Sequence, residues 1–87
     1  MKKYYELGLE LKRGDRIPNM KITHIQDCIM GNDAKGLVDH IIEIYVKCNK
    51  SIPNEINELL MECLSNNSIT EPEKILCFVI GIYNSKF

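Results

Sequence analysis

From Ala34 to Lys47 and its neighbour Cys48, the residues Leu37, Val38, Ile41, Ile42, Ile44, Tyr45 and Cys48 recur every three or four positions. That spacing makes one side of a helix apolar and leaves the other wet. A helix of this kind cannot stand alone, so the rest of the chain has to supply apolar faces to cover it.

Short turn clusters at Arg13-Gly14-Asp15, Gly31-Asn32-Asp33, Asn49-Lys50-Ser51 and Ser65-Asn66-Asn67-Ser68 cut the chain into five segments, with no repeat, low-complexity tract or linker between them. The fourth segment, about Pro53 to Leu64, sets Ile52, Ile56, Leu59, Leu60, Cys63 and Leu64 among polar residues. Ser51 is placed to cap it, and Pro53 suits a first turn. The fifth opens on Thr70-Glu71-Pro72-Glu73, a capping box with a proline in the first turn, and continues Ile75-Leu76-Cys77-Phe78-Val79-Ile80. Because that run is apolar nearly all round, it is expected to be the central helix, packed by the others on most sides, although its β-branched residues also suit a buried strand. A shorter second helix is expected from Thr23, where Thr23-His24-Ile25-Gln26 reads as another capping box, to Met30, with Gly31 closing it.

The first segment is ambiguous. Tyr5, Leu7, Leu9 and Leu11 alternate with Glu6, Gly8, Glu10 and Lys12 as in a half-buried strand, yet Tyr4, Leu7 and Leu11 also share a helical face. No second alternating run is present to pair with a strand, and Glu, Leu and Lys favour helix, so helix is preferred. The expected fold is all-α: a compact bundle of four to five short helices, with residues 1–87 forming a single helical domain.

Composition narrows the function classes. A net charge of −1 and a pI near 6.1 give no general attraction to a polyanion, so nucleic acid is a poor partner on electrostatic grounds. The longest apolar run, Ile75 to Tyr83 with Gly81 inside it, is far short of the roughly 20 residues needed to cross a bilayer. Met1-Lys2-Lys3-Tyr4-Tyr5-Glu6 leads into no signal-peptide run, and the expected location is the cytoplasm. There Cys28, Cys48, Cys63 and Cys77, which form no Cys-x-x-Cys pair, are expected to be reduced core thiols. Lysine, asparagine and isoleucine are abundant while Ala34 is the only alanine, a bias associated with AT-rich genomes such as those of some bacteria and their phages.

Candidate chemistry is sparse. Asp39, His40 and Glu43 bring carboxylates near an imidazole, but no nucleophile completes the set, and a boundary histidine beside a solvated face accounts for it. His24 and Cys28 stand i, i+4 and offer half of a zinc site whose other half is missing; a buried cysteine near a boundary histidine is the simpler reading. Arg13-Gly14-Asp15 reads as a turn, the Asn-x-Ser sequons at Asn49 and Asn66 matter only on a secretory route, and no glycine-rich phosphate loop exists. Thr23 to Tyr45 has the outline of a helix-turn-helix, but Asn32, Asp33, Lys35, Asp39 and Glu43 equip its second helix badly for phosphates. No catalytic residue, metal ligand set or cofactor is expected.

What remains is surface. Glu55, Glu58 and Glu62 form a row at i, i+3 and i+7 with no basic residue in that helix, while Lys12, Arg13, Arg16 and Lys21 gather early in the chain. Such a row is usually just a solvated face, but it gives the molecule an electrostatic polarity that steers partners. The reading is a non-catalytic protein-binding module that inhibits or regulates one partner, in the manner of immunity proteins, antitoxins or phage-encoded inhibitors. Glu55, Glu58, Glu62, Asp39 and Glu43 are the candidate contact residues for another protein with a basic groove. The alternatives are a small helix-turn-helix DNA-binding regulator and a structural subunit whose apolar fifth helix is covered by another chain or by a copy of itself as a homodimer.

Overall fold

The structure, a computed structural model, describes residues 1–86. It contains α1 (Lys2–Glu10), α2 (Asn19–Met30), α3 (Ala34–Lys47), α4 (Asn54–Asn66) and α5 (Pro72–Asn84), with no strand among the described residues. The all-α bundle is therefore present, and the first segment is helical. In that form Leu7 and Leu11 point the same way into the core, which the alternating strand pattern would also have achieved only with a partner strand to hold it.

The helix starts differ from the sequence expectation, and for one reason. Both capping boxes are unused. Thr23 lies inside α2, where its hydroxyl donates to the Asn19 carbonyl one turn back at 3.1 Å; the helix begins four residues earlier, after an extended Pro18. Thr70 donates instead to the Glu62 carboxylate at 2.9 Å, and α5 starts from Glu71 without a side-chain cap bond, with Pro72 in the first turn as expected. Ser51 caps nothing, since α4 starts from an extended Pro53. In α2 and α4 a proline with ψ near 150–160° stops helix extension backwards. Only α3 has a side-chain cap: Asp33 Oδ1 accepts from Gly36 N at 2.9 Å.

The helix ends share a mechanism. Asn32, Asn49 and Asn67 take left-handed conformations at φ of 53°, 54° and 49°. The following residue's N–H then reaches back to the carbonyl five residues earlier: Asp33 to Cys28, Lys50 to Tyr45 and Ser68 to Cys63, at 2.8, 3.0 and 3.2 Å. This satisfies carbonyls that a helix end leaves open, and asparagine tolerates the conformation better than any residue except glycine. The expected closure of α2 by Gly31 is thus corrected; Gly31 has φ −88° and Asn32 makes the turn. Asn32 Oδ1 also accepts from Ile69 N at 2.8 Å and Ser68 Oγ at 3.2 Å, tying the α2–α3 turn to the α4–α5 loop.

The core joins all five helices through Leu7, Ile25, Leu37, Ile44, Ile56, Phe78 and Ile82, with Leu11 and Ile17 added from the α1–α2 connection. Within it α1 and α5 touch backbone to backbone at Gly8 and Gly81. A Cβ on Gly8 would sit 2.2 Å from the Phe78 carbonyl oxygen, and one on Gly81 would sit 2.1 Å from that of Tyr5. Tyr45 stacks on Phe78 with ring centroids 6.1 Å apart, but its buried hydroxyl has no hydrogen-bond partner among the described residues. Burial, reinforced by Glu10 and Cys48, pushes that phenol's pKa well above its ordinary value. Removing the hydroxyl removes a desolvation cost and opens no large cavity. Tyr45→Phe is therefore expected to raise stability by about 1 kcal/mol, read as a higher urea midpoint at unchanged slope; a lower midpoint would show that the hydroxyl is satisfied after all.

The expectation that α5 is enclosed on most sides is corrected. It buries Ile75, Phe78, Val79 and Ile82, but Leu76, Ile80 and Tyr83 are 38%, 50% and 54% exposed. Neighbours cover one side of α5, and this second apolar stripe, at i, i+4 and i+7, faces outward. No helix is long and apolar enough to cross a membrane among the described residues.

Candidate protein-binding surfaces

The residues singled out in the sequence fall on two surfaces. On the first, α2 and α3 place Lys21 so that its ammonium lies 2.6 Å from Glu43 Oε2 and 2.9 Å from His40 Nδ1. Lys47 adds a second cation to Glu43 at 3.3 Å, and the His24 ring lies against His40 with centroids 5.7 Å apart. The fold thus brings His40 and Glu43 together through Lys21, while Asp39, exposed one turn before Glu43, joins neither in a hydrogen bond or ion pair among the described residues. For His40 to accept from an ammonium its Nδ1 must be unprotonated, which places any ring proton on Nε2. The cluster has two imidazoles, a carboxylate and a lysine, but no hydroxyl or thiol nucleophile appears among its hydrogen-bond partners.

The Lys21 hydrogen bond, followed by that from Lys47, holds the Glu43 carboxyl below the ordinary carboxylate value. A carboxyl whose pKa is lower in the folded than in the unfolded chain stabilises the fold above the unfolded value, and that contribution is lost as pH falls through the folded one. The thermal midpoint of Glu43→Gln is accordingly expected to lie below that of the parent at pH 7. The gap should close only as pH falls through the lowered folded-state pKa, below which both states are protonated. A gap that persists unchanged at acid pH would show that Glu43 acts by packing rather than charge.

The second surface is the α4 row. Glu55 pairs with Lys3 at 3.3 Å, and its own backbone N–H, then Lys3, lower its pKa; Glu62 accepts from Thr70 at 2.9 Å. Glu58 is exposed, with no ion pair or hydrogen bond to the described residues. Beside these acids α4 also exposes Met61 and Leu64 at 55% and 48%. The row is a face, but two of its three carboxylates already have partners within the chain.

Cys28, Cys48, Cys63 and Cys77 are all free, the first three buried, and burial raises the pKa of each of those three thiols. The Cys28 thiol donates to Asp33 Oδ2 at 4.0 Å and makes no hydrogen bond to His24 among the described residues. No group of three or more histidine, cysteine or acidic side chains is placed to hold a metal ion among the described residues.

A third surface was read in the sequence only as the apolar fifth helix of the subunit alternative, without its groove. Ile22 and Gln26 of α2, with Val79, Ile80 and Tyr83 of α5, line a groove of about 220 Å³. Arg13 lies at its Tyr83 end, its guanidinium carbon 5.3 Å from the ring centroid, with Nη1 donating to the Ile17 carbonyl at 3.0 Å and to Asn19 Oδ1 at 2.9 Å. The chain matches no family model, and neither curated proteins nor solved structures yielded a match. The exposed stripe beside the groove was present in the sequence as the spacing of Leu76, Ile80 and Tyr83, hidden because every other position nearby is apolar too. A second hollow of about 340 Å³, lined by Tyr45, Val46, Asn49, Lys50 and Ser51, lies at the end of α3.

Proposed function

We propose that this chain is a non-catalytic protein-binding module that inhibits or regulates one partner, of the kind served by immunity proteins, antitoxins and phage-encoded inhibitors. The observation that carries the reading is the outward stripe of α5. Leu76, Ile80 and Tyr83 hold large apolar side chains in water on a helix whose opposite side is already satisfied by the core. Single exposed apolar residues are ordinary, but a row along one helix beside a groove is the form that partner surfaces take. The α4 face, with Glu58 free and Met61 and Leu64 exposed, offers a second contact region that suits a basic partner surface.

The test is affinity capture with the tagged chain from lysate of the source cell at low salt, with and without nuclease. One stoichiometric protein that survives nuclease treatment supports the reading. Recovery of nucleic acid alone, or of nothing, overturns it.

A further inference from the structure

We infer that the α2–α5 groove is the docking site for an amphipathic helix of a partner protein, and that Arg13 receives a carboxylate carried by that helix. The inference rests on the protein-binding reading and names its site and its partner's chemistry.

Arg13 is held on three sides. Its backbone N–H donates to Ser85 Oγ at 3.1 Å, both Nη1 bonds go to neighbouring oxygens, and its plane lies over Tyr83. Nε and Nη2, which share the opposite edge of the guanidinium, find no acceptor among the described residues. A guanidinium fixed in place with that edge open matches the two oxygens of a carboxylate, and the rotamer entropy is already spent before the partner arrives. The neighbouring charges are mostly cationic, since Lys12, Arg16 and Lys86 are exposed near Arg13 in the chain or beside Ser85, against one acid, Asp15.

The groove that leads away from this edge is apolar apart from Gln26. Its volume, about 220 Å³, is below the roughly 300–1,000 Å³ of sites that enclose a free small molecule, but it is open to one or two side chains inserted from outside. The stripe from Leu76 to Tyr83 runs two helical turns, on the order of 10 Å, which is the span over which a partner helix presents apolar anchors at i, i+4 and i+7. Among the described residues there is no strand edge to receive an extended peptide. An acid near one end of such a helix and apolar anchors along it complement the site.

The test selects phage-displayed amphipathic helical peptides, randomised in sequence, on the intact chain, with Ile80→Glu as the counter-selected bait. Enriched peptides are expected to carry apolar residues at i, i+4 and i+7 and a terminal Asp or Glu. Changing that acid to its amide should weaken binding about tenfold to the parent chain, and Arg13→Lys, which keeps the charge but loses the fork, should weaken it similarly. The two changes together should cost little more than either alone, because they remove one contact. Circular dichroism melts of both variants verify that they fold. Peptides that bind Ile80→Glu as well as the parent, peptides with no acid preference, or an Ile80-dependent dimer of the chain in sedimentation would each overturn the assignment. If capture from lysate still yields a partner in those cases, the protein-binding reading stands and only the groove falls; if it yields none, both fall.

Discussion

Gly8→Ala is expected to destabilise the fold by about 3 kcal/mol or more, lowering the urea midpoint by at least about 1 M. The added methyl would lie 2.2 Å from the Phe78 carbonyl oxygen, 2.7 Å from Ile82 N and 2.9 Å from Gly81 C. All three are backbone atoms, so no rotamer change relieves the overlap, and α1 must move away from α5 as a body. Separation would loosen Leu7, Phe78 and Ile82 together, in a domain whose total stability is only about 5–15 kcal/mol. Gly81→Ala should act alike, since its Cβ would meet Tyr5 O at 2.1 Å, and the double variant should cost less than the sum because both methyls push the same helices apart. Gly31→Ala is the control, with only Asp27 O near its Cβ position, at 3.4 Å. Equal midpoints for Gly8→Ala and Gly31→Ala would show that the two helices are not in backbone contact.

Phe78→Ala is expected to cost about 3–5 kcal/mol in the same denaturation experiment. Phe78 is 1% exposed, on the side of α5 that faces the core, and Tyr45 lies parallel to it. The truncation loses the transfer free energy of a full ring and leaves a cavity that a stacked neighbour cannot fill without leaving its own packing. Ile80→Glu, two residues away on the same helix but outward, is expected to change stability by less than about 0.5 kcal/mol, as exposed positions do. The contrast between these substitutions measures how one-sided α5 is. A small loss at Phe78 and a large one at Ile80 would reverse the orientation of the helix.

The fold was legible where one periodic signal acted alone. Leu37, Val38, Ile41, Ile44 and Tyr45 marked α3 to its end residues, because a polar face opposes them. At Thr23 and Thr70 the sequence misled, since a capping box states only that a threonine can cap; prolines at 18 and 72 decided where the helices start, and the hydroxyls found other acceptors. Asn32, Asn49 and Asn67, each read as part of a turn cluster, turn three helix ends, but which residue of a cluster takes the left-handed conformation was not legible. In α5 the outward stripe could not be separated from the core, because Leu76 and Ile80 look no different from Ile75 and Val79 until a neighbour covers one side.

The candidate site divides along the same line. The acidic row at Glu55, Glu58 and Glu62 was visible because charges in one helix can be counted, but the bonds to Lys3, from the distant α1, and to Thr70, in the following loop, are set by the fold. Lys21 joins His40 and Glu43 across 19 and 22 residues, which no local spacing encodes. Arg13 was read as part of a turn, and its place over Tyr83 depends on the chain ends meeting at Ser85.

The most direct test of the account is a paired capture from one lysate with the parent chain and with Ile80→Glu, both tagged and both verified as folded. A single stoichiometric protein is expected on the parent and absent from the variant. Equal recovery on both would contradict it, placing the partner on another face, with the α4 row of Glu55, Glu58 and Glu62 next to be reversed in charge.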